Sequence, residues 1–233
     1  MKIRSAHNND IVELEALLLK HFREEPFHNL YLLYGKEPLP HKYGGTCSDK
    51  TLSFIDAACA LGFDAKLHTG AIGGKEIHRL VCAQIGNRTF FADVGNGWPS
   101  LKLYPTDEEI SYSCFGMKYR TCIADNKISV FHTRNRKEYL QLVIDIRPRE
   151  EKAIKEDIDI RFTSGITYPF SNSLRFSLIV NNKFLFLRGD RLEIYSDNEF
   201  LEVSGIEKES LPWLLEEKFE YKSSNLFEYL VSV

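Results

Sequence analysis

The sequence has no long apolar run, no concentration of positive charge and no cysteine framework. No window approaches 18 uncharged apolar residues, so we expect no transmembrane helix. Lysine and arginine are scattered and the net charge is −3, which argues against a nucleic-acid interface, because such an interface needs a basic face. The first ten residues lack the apolar stretch of a signal peptide. These absences favour a cytoplasmic, non-membrane protein.

Cysteine usage excludes two further classes of protein. The chain has five cysteines, an odd number, and no CxxC pair, so a disulfide scaffold or a cysteine-rich zinc site is not expected. No His/Cys/Asp/Glu set has zinc-ligand spacing, and we predict no metal. Cys59, Cys82, Cys114 and Cys122 lie in apolar or strand-like runs and are predicted to be small buried hydrophobic residues. Cys47 has different surroundings.

Periodicity predicts helices at the beginning of the chain. Apolar residues recur at helical spacing over residues 11–22, behind Asn8 and Asn9 as cap candidates. A loop rich in proline and glycine is predicted over residues 26–45. A second helix then begins near Cys47 and ends at Gly62.

Short strands dominate the rest of the chain, with a surface helix predicted near residues 148–159 and a terminal helix near 209–219. Gly86-Asn87 and Asn181-Asn182 are predicted to be tight hairpin turns. The predicted strands cover residues 63–69, 77–85, 89–94, 119–123, 128–131, 139–146, 173–180, 183–188 and 191–195. The order of elements indicates an α+β fold with a small barrel or sheet in the middle.

The run Tyr43-Gly44-Gly45-Thr46-Cys47 places a thiol where a helix starts. Two glycines allow a tight turn, and Cys47 then lies at or beside the helix N-terminus. Unpaired backbone N–H groups and the helix dipole favour a thiolate there and lower the thiol pKa. The same N–H groups are suited to stabilising an oxyanion on an attacked carbonyl. We therefore predict that Cys47 is a nucleophile.

A cysteine nucleophile needs a base and an orienting group, and one strand pair offers both. If Gly86-Asn87 closes an antiparallel hairpin, residues whose numbers sum to about 173 face each other, and His78 and Asp93 lie near opposite positions. A lone carboxylate in the apolar strand that ends at Asp93 would be costly without a partner. We predict His78 as the base and Asp93 as its orienting group. His68 and His132 end other strand-like runs and are predicted to be ordinary surface or rim residues.

The chain resembles the arylamine N-acetyltransferase family, densely from about residue 26 to 98 and thinly to about 195. The family carries a Pro-Phe-Glu-Asn-Leu-like run, an Arg-Gly-Gly-x-Cys helix start, a strand histidine and an Asp-Val-Gly-x-Gly strand end. The matching pieces are Pro26-Phe27-His28-Asn29-Leu30, Gly44-Gly45-Thr46-Cys47, His78, Asp93-Val94-Gly95-Asn96-Gly97, and more loosely Ala60-Leu61-Gly62-Phe63-Asp64-Ala65 and Phe184-Leu185-Phe186-Leu187-Arg188-Gly189-Asp190.

This resemblance implies three regions around a cysteine-proteinase-like Cys-His-Asp core. They are an N-terminal helical domain over residues 1–62 that carries the nucleophile, a central β-barrel over 63–147 that carries His and Asp, and a C-terminal α/β lid over 148–233. It also implies a ping-pong reaction without a bound cofactor. Cys47 takes an acyl group from the co-substrate acetyl-coenzyme A as a thioester and passes it to an amine, hydrazine or hydroxylamine.

Residues in or beside the matching runs are candidate substrate contacts, and some of them depart from the family. The candidates are Phe27, Tyr43, Thr46 and Asn96. Tyr43 stands where the family has arginine, His28 where it has glutamate, and Asn96 where an aromatic residue is usual. If the family's arginine and glutamate pair, both partners are missing here.

These departures leave other functions open. A papain- or transglutaminase-like hydrolase and an amide synthase would use the same three residues. A binding protein that kept the fold without its activity is a further alternative. We expect small-molecule partners and a monomer or small homo-oligomer.

Overall fold

A computed structural model describes residues 2–161, 165, 167–168 and 170–232. The described helices are α1 Lys2–Glu24, α2 Leu30–Tyr34, α3 Cys47–Ala60, α4 Glu151–Asp159, α5 Leu211–Phe219 and α6 Ser224–Val231. The described strands are β1 Phe27–His28, β2 Asp64–Ile72, β3 Lys75–Ile85, β4 Arg88–Ala92, β5 Tyr104–Pro105, β6 Ser111–Cys114, β7 Met117–Ala124, β8 Lys127–Arg134, β9 Lys137–Asp145, β10 Arg175–Val180, β11 Lys183–Arg188, β12 Arg191–Tyr195 and β13 Phe200–Val203. None of the helices in these ranges has the length and apolar character to cross a membrane.

Strands β2 to β9 form one antiparallel sheet in the order β5-β4-β3-β2-β9-β8-β7-β6. The sheet curls into a half-barrel, as the sequence predicts for the middle of the chain. Alternate residues point into it because successive side chains of a strand face opposite sides. The apolar interior consists of Leu80, Phe91, Tyr104, Ile128, Val130, Leu142 and Ile144.

The second sheet has the order β1-β10-β11-β12-β13 and is also antiparallel. Helices α2, α5 and α6 bury their apolar faces in one cluster with β10 to β12. A second cluster joins α1 and α3 to side chains from both sheets, among them Val81, Ala92, Phe184 and Phe186. Helix α3 therefore packs where the two sheets meet.

Strand β1 anchors the segment that leads to Cys47. The His28 N–H donates to the Gly45 carbonyl at 2.8 Å, and the Gly45 N–H donates to the Pro26 carbonyl at 3.1 Å. A Cβ on Gly44 would lie 2.0 Å from the Pro26 carbonyl oxygen, and its φ of +74° is in the left-handed region. Only glycine fits this close approach of two backbone segments.

The α+β fold class and most of the predicted elements are confirmed. The turns at Gly86-Asn87 and Asn181-Asn182 close hairpins, since Ile85 faces Arg88 and Val180 faces Lys183. The helix at Cys47 and the helix near residues 148–159 are also present. The three-part division of the chain stays a prediction.

Other expectations about the secondary structure are wrong. Asn8 and Asn9 lie inside α1 and do not cap it, because the helix continues back to Lys2. The predicted loop over residues 26–45 contains β1 and α2, which are too short for periodicity to reveal. The strands β5, β6 and β13 and the last helix α6 were also not predicted.

The expectation that Cys59, Cys82, Cys114 and Cys122 are buried is wrong, most clearly for Cys59. Cys47 is buried, whereas Cys59 is exposed and Cys82, Cys114 and Cys122 are half-buried; all five are free thiols. The prediction for Cys59 came only from the apolar residues around it in the sequence. Which side of α3 is covered depends on the sheets that pack against it.

Candidate active site

Cys47 occupies the first turn of α3 and is 6% exposed. Thr46 precedes the helix, and its backbone N–H and hydroxyl both donate to Asp49 Oδ2 at 2.8 Å. Arg161 in turn donates to Asp49 Oδ1 at 3.0 Å. An acidic residue in the first turn complements the helix dipole and holds the start of the helix in place. The thiol is thus attached to a well-anchored helix end.

His78 and Asp93 meet as the hairpin register predicts. Val81 faces Ala92 across β3 and β4, so facing residues have numbers that sum to 173. Asp93 follows β4 directly and lies diagonally across from His78. His78 Nε2 donates to Asp93 Oδ1 at 2.6 Å, and both side chains are buried. Because Nε2 is bound to Asp93, the other ring nitrogen, Nδ1, is left for Cys47, whose side chain interacts with the His78 ring.

Asp93 has a second partner that the sequence alone did not identify. Asn96 Nδ2 donates to Asp93 Oδ2 at 3.0 Å, while Asn96 Oδ1 accepts the Trp98 N–H at 3.1 Å. Both carboxylate oxygens of a fully buried Asp93 are therefore paired, as a charged group inside a protein requires. Asn96, where the family pattern has an aromatic residue, positions Asp93 in this chain.

Electrostatics favour a thiolate–imidazolium pair. Burial raises the pKa of the Cys47 thiol, but the hydrogen bond and charge of His78 outweigh burial and lower this pKa below its ordinary value. Burial lowers the pKa of His78, but the charge and hydrogen bond of Asp93 and the contact with Cys47 raise it to about 10. Between these two pKa values Cys47 carries a negative charge and His78 a positive one. A thiolate is the nucleophilic form of cysteine.

This pairing predicts the pH dependence of Cys47 alkylation. The thiolate forms as pH rises through the lowered pKa of Cys47, so we expect the iodoacetamide rate to be half-maximal below the ordinary thiol pKa of about 8.5. The rate should then stay level until His78 loses its proton near pH 10. Peptide mass spectrometry between pH 5 and 11 measures this rate, with exposed Cys59 as an internal comparison. A midpoint at or above 8.5 would contradict the ion pair.

A cavity of about 330 Å³ opens beside the thiol. Its wall contains the nucleophile candidate, its histidine partner, many aromatic rings and three arginines. The lining residues are Phe27, Cys47, Ile72, Ile77, His78, Gly95, Asn96, Gly97, Trp98, His132, Arg134, Tyr139, Leu140, Gln141, Tyr168, Phe170, Arg175, Phe186 and Arg188. A buried nucleophile in the wall of a mostly apolar cavity with a few polar groups is typical of a small-molecule active site.

The four predicted substrate contacts divide into two groups. Phe27 and Asn96 line the cavity, whereas Tyr43 and Thr46 do not. Thr46 is engaged in capping α3. The backbone carbonyl of Tyr43 accepts hydrogen bonds from His28 Nε2 at 2.9 Å and from the Tyr221 hydroxyl at 3.2 Å. The positions of Tyr43 and Thr46 therefore give them structural contacts away from the cavity.

His28 and Tyr43 form a neutral link at the two positions that depart from the family pattern. His28 Nδ1 accepts the Leu30 N–H at 3.2 Å, so the proton of the uncharged ring is on Nε2, which donates to Tyr43. Burial lowers the pKa of His28 to about 4 and keeps the ring uncharged at neutral pH. A hydrogen bond without net charge thus joins these two positions.

Two of the histidines were assigned to the wrong environment by sequence. His68 and His132 are both buried, not on a surface or rim. His68 Nε2 donates to the Asp145 carbonyl at 2.8 Å, and His132 lines the cavity. Trp98, Arg134 and Gln141 also line it and were not predicted. Of these only Trp98, which directly follows the Asp-Val-Gly-Asn-Gly run, had a signal in the sequence.

Comparison with known proteins identifies the family. The model of the N-acetyltransferase family matches residues 10–225 of this chain. The chain therefore belongs to this family of acyl-transferring enzymes, and the resemblance inferred from its motifs is confirmed. Among curated protein sequences, none matches at a significant level.

Solved structures share the fold at low sequence identity. Arylamine N-acetyltransferase from Salmonella typhimurium is 18% identical, covers 96% of this chain over 92% of its own, and superposes with a TM-score of 0.76. The Nocardia farcinica enzyme is 18% identical, matches 95% of this chain over 87% of its own, and superposes with a TM-score of 0.77. The Mycobacterium marinum enzyme, solved in complex with CoA, is 14% identical, matches 93% of this chain over 88% of its own, and superposes with a TM-score of 0.79. These values confirm the fold.

Proposed function

We propose that the protein transfers an acetyl group from acetyl-coenzyme A to an amine, hydrazine or hydroxylamine through a thioester on Cys47. The observation that carries this proposal is the buried contact chain from Cys47 through His78 to Asp93, at the wall of a cavity. The complex of the Mycobacterium marinum relative with CoA supports coenzyme A as the donor. A cytoplasmic location and a monomeric or small oligomeric state remain predictions that accompany this proposal.

In the first half-reaction the Cys47 thiolate attacks the carbonyl carbon of the acetyl thioester. The carbonyl electrons move to oxygen, and the backbone N–H groups at the start of α3 are suited to stabilising the developing oxyanion. Collapse of the intermediate breaks the bond to the coenzyme A sulfur, which takes the proton from the His78 imidazolium. Cys47 then carries the acetyl group and His78 is neutral.

In the second half-reaction the acceptor nitrogen attacks the acetyl-Cys47 carbonyl. Neutral His78 takes the proton that the nitrogen loses, and the Cys47 thiolate leaves. The product is an N-acetylated amine or hydrazine, and the thiolate–imidazolium pair is restored. Asp93 stabilises the imidazolium in the resting state and holds the ring through Nε2, which leaves Nδ1 to exchange the proton.

The lining of the cavity favours a flat acceptor. The rings of Phe27, Trp98, Phe170 and Phe186 all border it. Trp98 and Phe186 meet edge to face with centroids 4.9 Å apart, and Phe27 and Phe170 do so at 5.9 Å. Aromatic walls of this kind bind planar apolar surface. An aromatic amine or aryl hydrazine therefore fits the cavity better than a long flexible amine.

Intact-mass analysis after single-turnover incubation with acetyl-coenzyme A tests the proposal. We expect one acetyl group per chain, and peptide digestion should locate it on Cys47 and not on the four other cysteines. Addition of phenylhydrazine should remove the label and yield acetylphenylhydrazine, because the nitrogen is a better acceptor than water. Absence of the adduct, or its location on another cysteine, would contradict the donor assignment. Rapid loss of the label to water without phenylhydrazine would instead indicate a hydrolase.

A further inference from the structure

Strand β3 extends beyond its pairing with β4, and this extension carries His78. The ladder between β3 and β4 stops where Val81 faces Ala92, whereas β3 itself begins at Lys75. A strand residue directs its N–H and C=O to one side, and residues two places apart direct them to the same side. Ile77 and Arg79 therefore present their backbone groups together along one edge of β3.

Two side chains of α3 lie against this edge. The Cys47 thiol donates to the Ile77 carbonyl at 3.9 Å, and the Arg79 backbone also hydrogen-bonds Cys47. One turn further along α3, Thr51 Oγ1 donates to the Arg79 carbonyl at 3.0 Å. Residues four apart lie on the same face of a helix, so one face of α3 is attached to β3 at both Cys47 and Thr51.

The edge of β3 suits both protonation states of the thiol. A protonated sulfur donates to the Ile77 carbonyl, whereas a thiolate is only an acceptor and is stabilised by the Arg79 N–H. This backbone hydrogen bond acts with His78 to lower the pKa of Cys47, because it favours the charged form. The contact between the sulfur and the Arg79 N–H depends on how α3 is seated on β3.

Thr51 determines this seating through a hydrogen bond that joins two separate elements. Its side chain is fully buried. A threonine inside a helix commonly bonds the carbonyl four residues earlier in the same helix, but Thr51 donates across to β3. Loss of the hydroxyl would take a donor from the buried Arg79 carbonyl, and an unsatisfied buried acceptor is costly. Helix α3 would then move on β3, and the sulfur would move with it.

We propose that Thr51 is a positioning residue for acyl transfer, whose hydroxyl holds α3 on the edge of β3 and thereby keeps the Cys47 sulfur at the Arg79 N–H and beside His78. This inference rests on the proposed acyl transfer and adds a residue to it. Thr51 acts through Cys47 and takes no part in the bond changes at the acetyl group. The charges of His78 and Arg79 and the hydroxyl of Tyr168 also interact with Cys47, and a change at Thr51 removes none of them.

Thr51→Val tests the hydroxyl, because valine keeps the shape of threonine. We expect the rate of Cys47 acetylation by acetyl-coenzyme A to fall by about tenfold or more, as displacement of a reacting group does. The pH midpoint of iodoacetamide alkylation should rise, because the thiolate loses part of its N–H contact. Thr51→Ser keeps the hydroxyl and should restore both the rate and the midpoint. Thr51→Ala removes the same hydroxyl from a smaller side chain and should repeat both changes.

Thr121→Val is the matched control, since it removes another buried hydroxyl that bonds the backbone. Thr121 lies on β7, and its Oγ1 accepts the Ile110 N–H at 2.8 Å. We expect Thr121→Val and Thr51→Val to lose similar amounts of stability in thermal unfolding. Acetylation and alkylation of Cys47 in Thr121→Val should nevertheless match those of the wild type.

Three results would overturn the proposal. The first is wild-type acetylation in folded Thr51→Val or Thr51→Ala. The second is an equal loss in Thr51→Ser, which would assign the effect to packing of the methyl group. The third is an equal loss in Thr121→Val, which would assign it to general destabilisation.

Alkylation requires no coenzyme A and therefore separates this inference from the proposed function. If the midpoint rises in Thr51→Val but wild-type Cys47 takes no acetyl group, the positioning role stands and the proposed function fails. If wild-type Cys47 is acetylated but the alkylation midpoint is the same in Thr51→Val and the wild type, the proposed function stands and the positioning role fails.

Discussion

Replacing Asp93 with asparagine is expected to lower kcat/KM for acetyl transfer by about 10³- to 10⁴-fold. The change removes the charge that does most to oppose the effect of burial on His78, so the pKa of His78 falls from about 10. At neutral pH the histidine then loses its proton and Cys47 no longer gains from a positive neighbour. The measurement is steady-state kinetics together with the pH profile of Cys47 alkylation, whose midpoint should move upward.

The fold should survive the Asp93→Asn change, because asparagine has the same shape and still offers an oxygen to His78 Nε2. Thermal unfolding checks this expectation. Asp107→Asn is the matched control, since Asp107 is an exposed carboxylate that pairs with Arg88. The activity of the control should stay within about twofold of the wild-type activity, because an exposed ion pair contributes little to stability. An Asp93→Asn enzyme with more than a tenth of wild-type activity would contradict the orienting role.

Gly95→Ala is expected to damage both stability and catalysis. A Cβ on Gly95 would lie 2.7 Å from Cys47 Cα and 2.8 Å from Cys47 Cβ and carbonyl oxygen. The first turn of α3 must move to make room, because backbone atoms cannot rotate away as a side chain does. We expect a loss of about 1–3 kcal/mol in the free energy of unfolding, typical of an overpacked interior. Displacement of the sulfur should lower kcat/KM by about 10²-fold.

Gly97→Ala in the same loop is the comparison for Gly95→Ala. A Cβ on Gly97 would meet only ring atoms of Phe186 and Phe27, at 3.1 to 3.4 Å. Aromatic side chains can shift by a few tenths of an ångström, so the loss of stability should be smaller. Chemical denaturation and kinetics of both variants measure the difference. If Gly95→Ala has the stability and the kcat/KM of the wild type, the Asp93–Gly97 loop does not pack closely against Cys47.

Local chemistry explains why much of the candidate site could be predicted from the sequence. Glycine before a helix start, the Gly86-Asn87 turn and period-two alternation are short-range features. They predicted the position of Cys47 on α3 and the register that brings His78 to Asp93. A hairpin with a two-residue turn allows little freedom, since a shift of one residue would expose its apolar face.

The rest of the cavity depends on contacts between distant parts of the chain. Gln141 faces inward only because of a bulge in β9, and His132 was misplaced because strand ends do not reveal what packs over them. Phe27 and Arg188 reach the same cavity because β1 joins the sheet of β10 to β12. The pairing of β1 with β10 places Phe27 opposite Ser177, and no local pattern encodes a contact between such distant parts of the chain.

The sequence by itself thus determined the fold class, the family and the three residues proposed for catalysis. Their identities and spacing follow from turn and helix-start chemistry, which acts over a few residues. Only the tertiary structure decided that Asn96 holds Asp93, that Tyr43 and Thr46 lie away from the cavity, and that Gln141 and His132 line it. Side-chain environments of this kind arise when separate sheets pack together, and packing is a property of the whole chain.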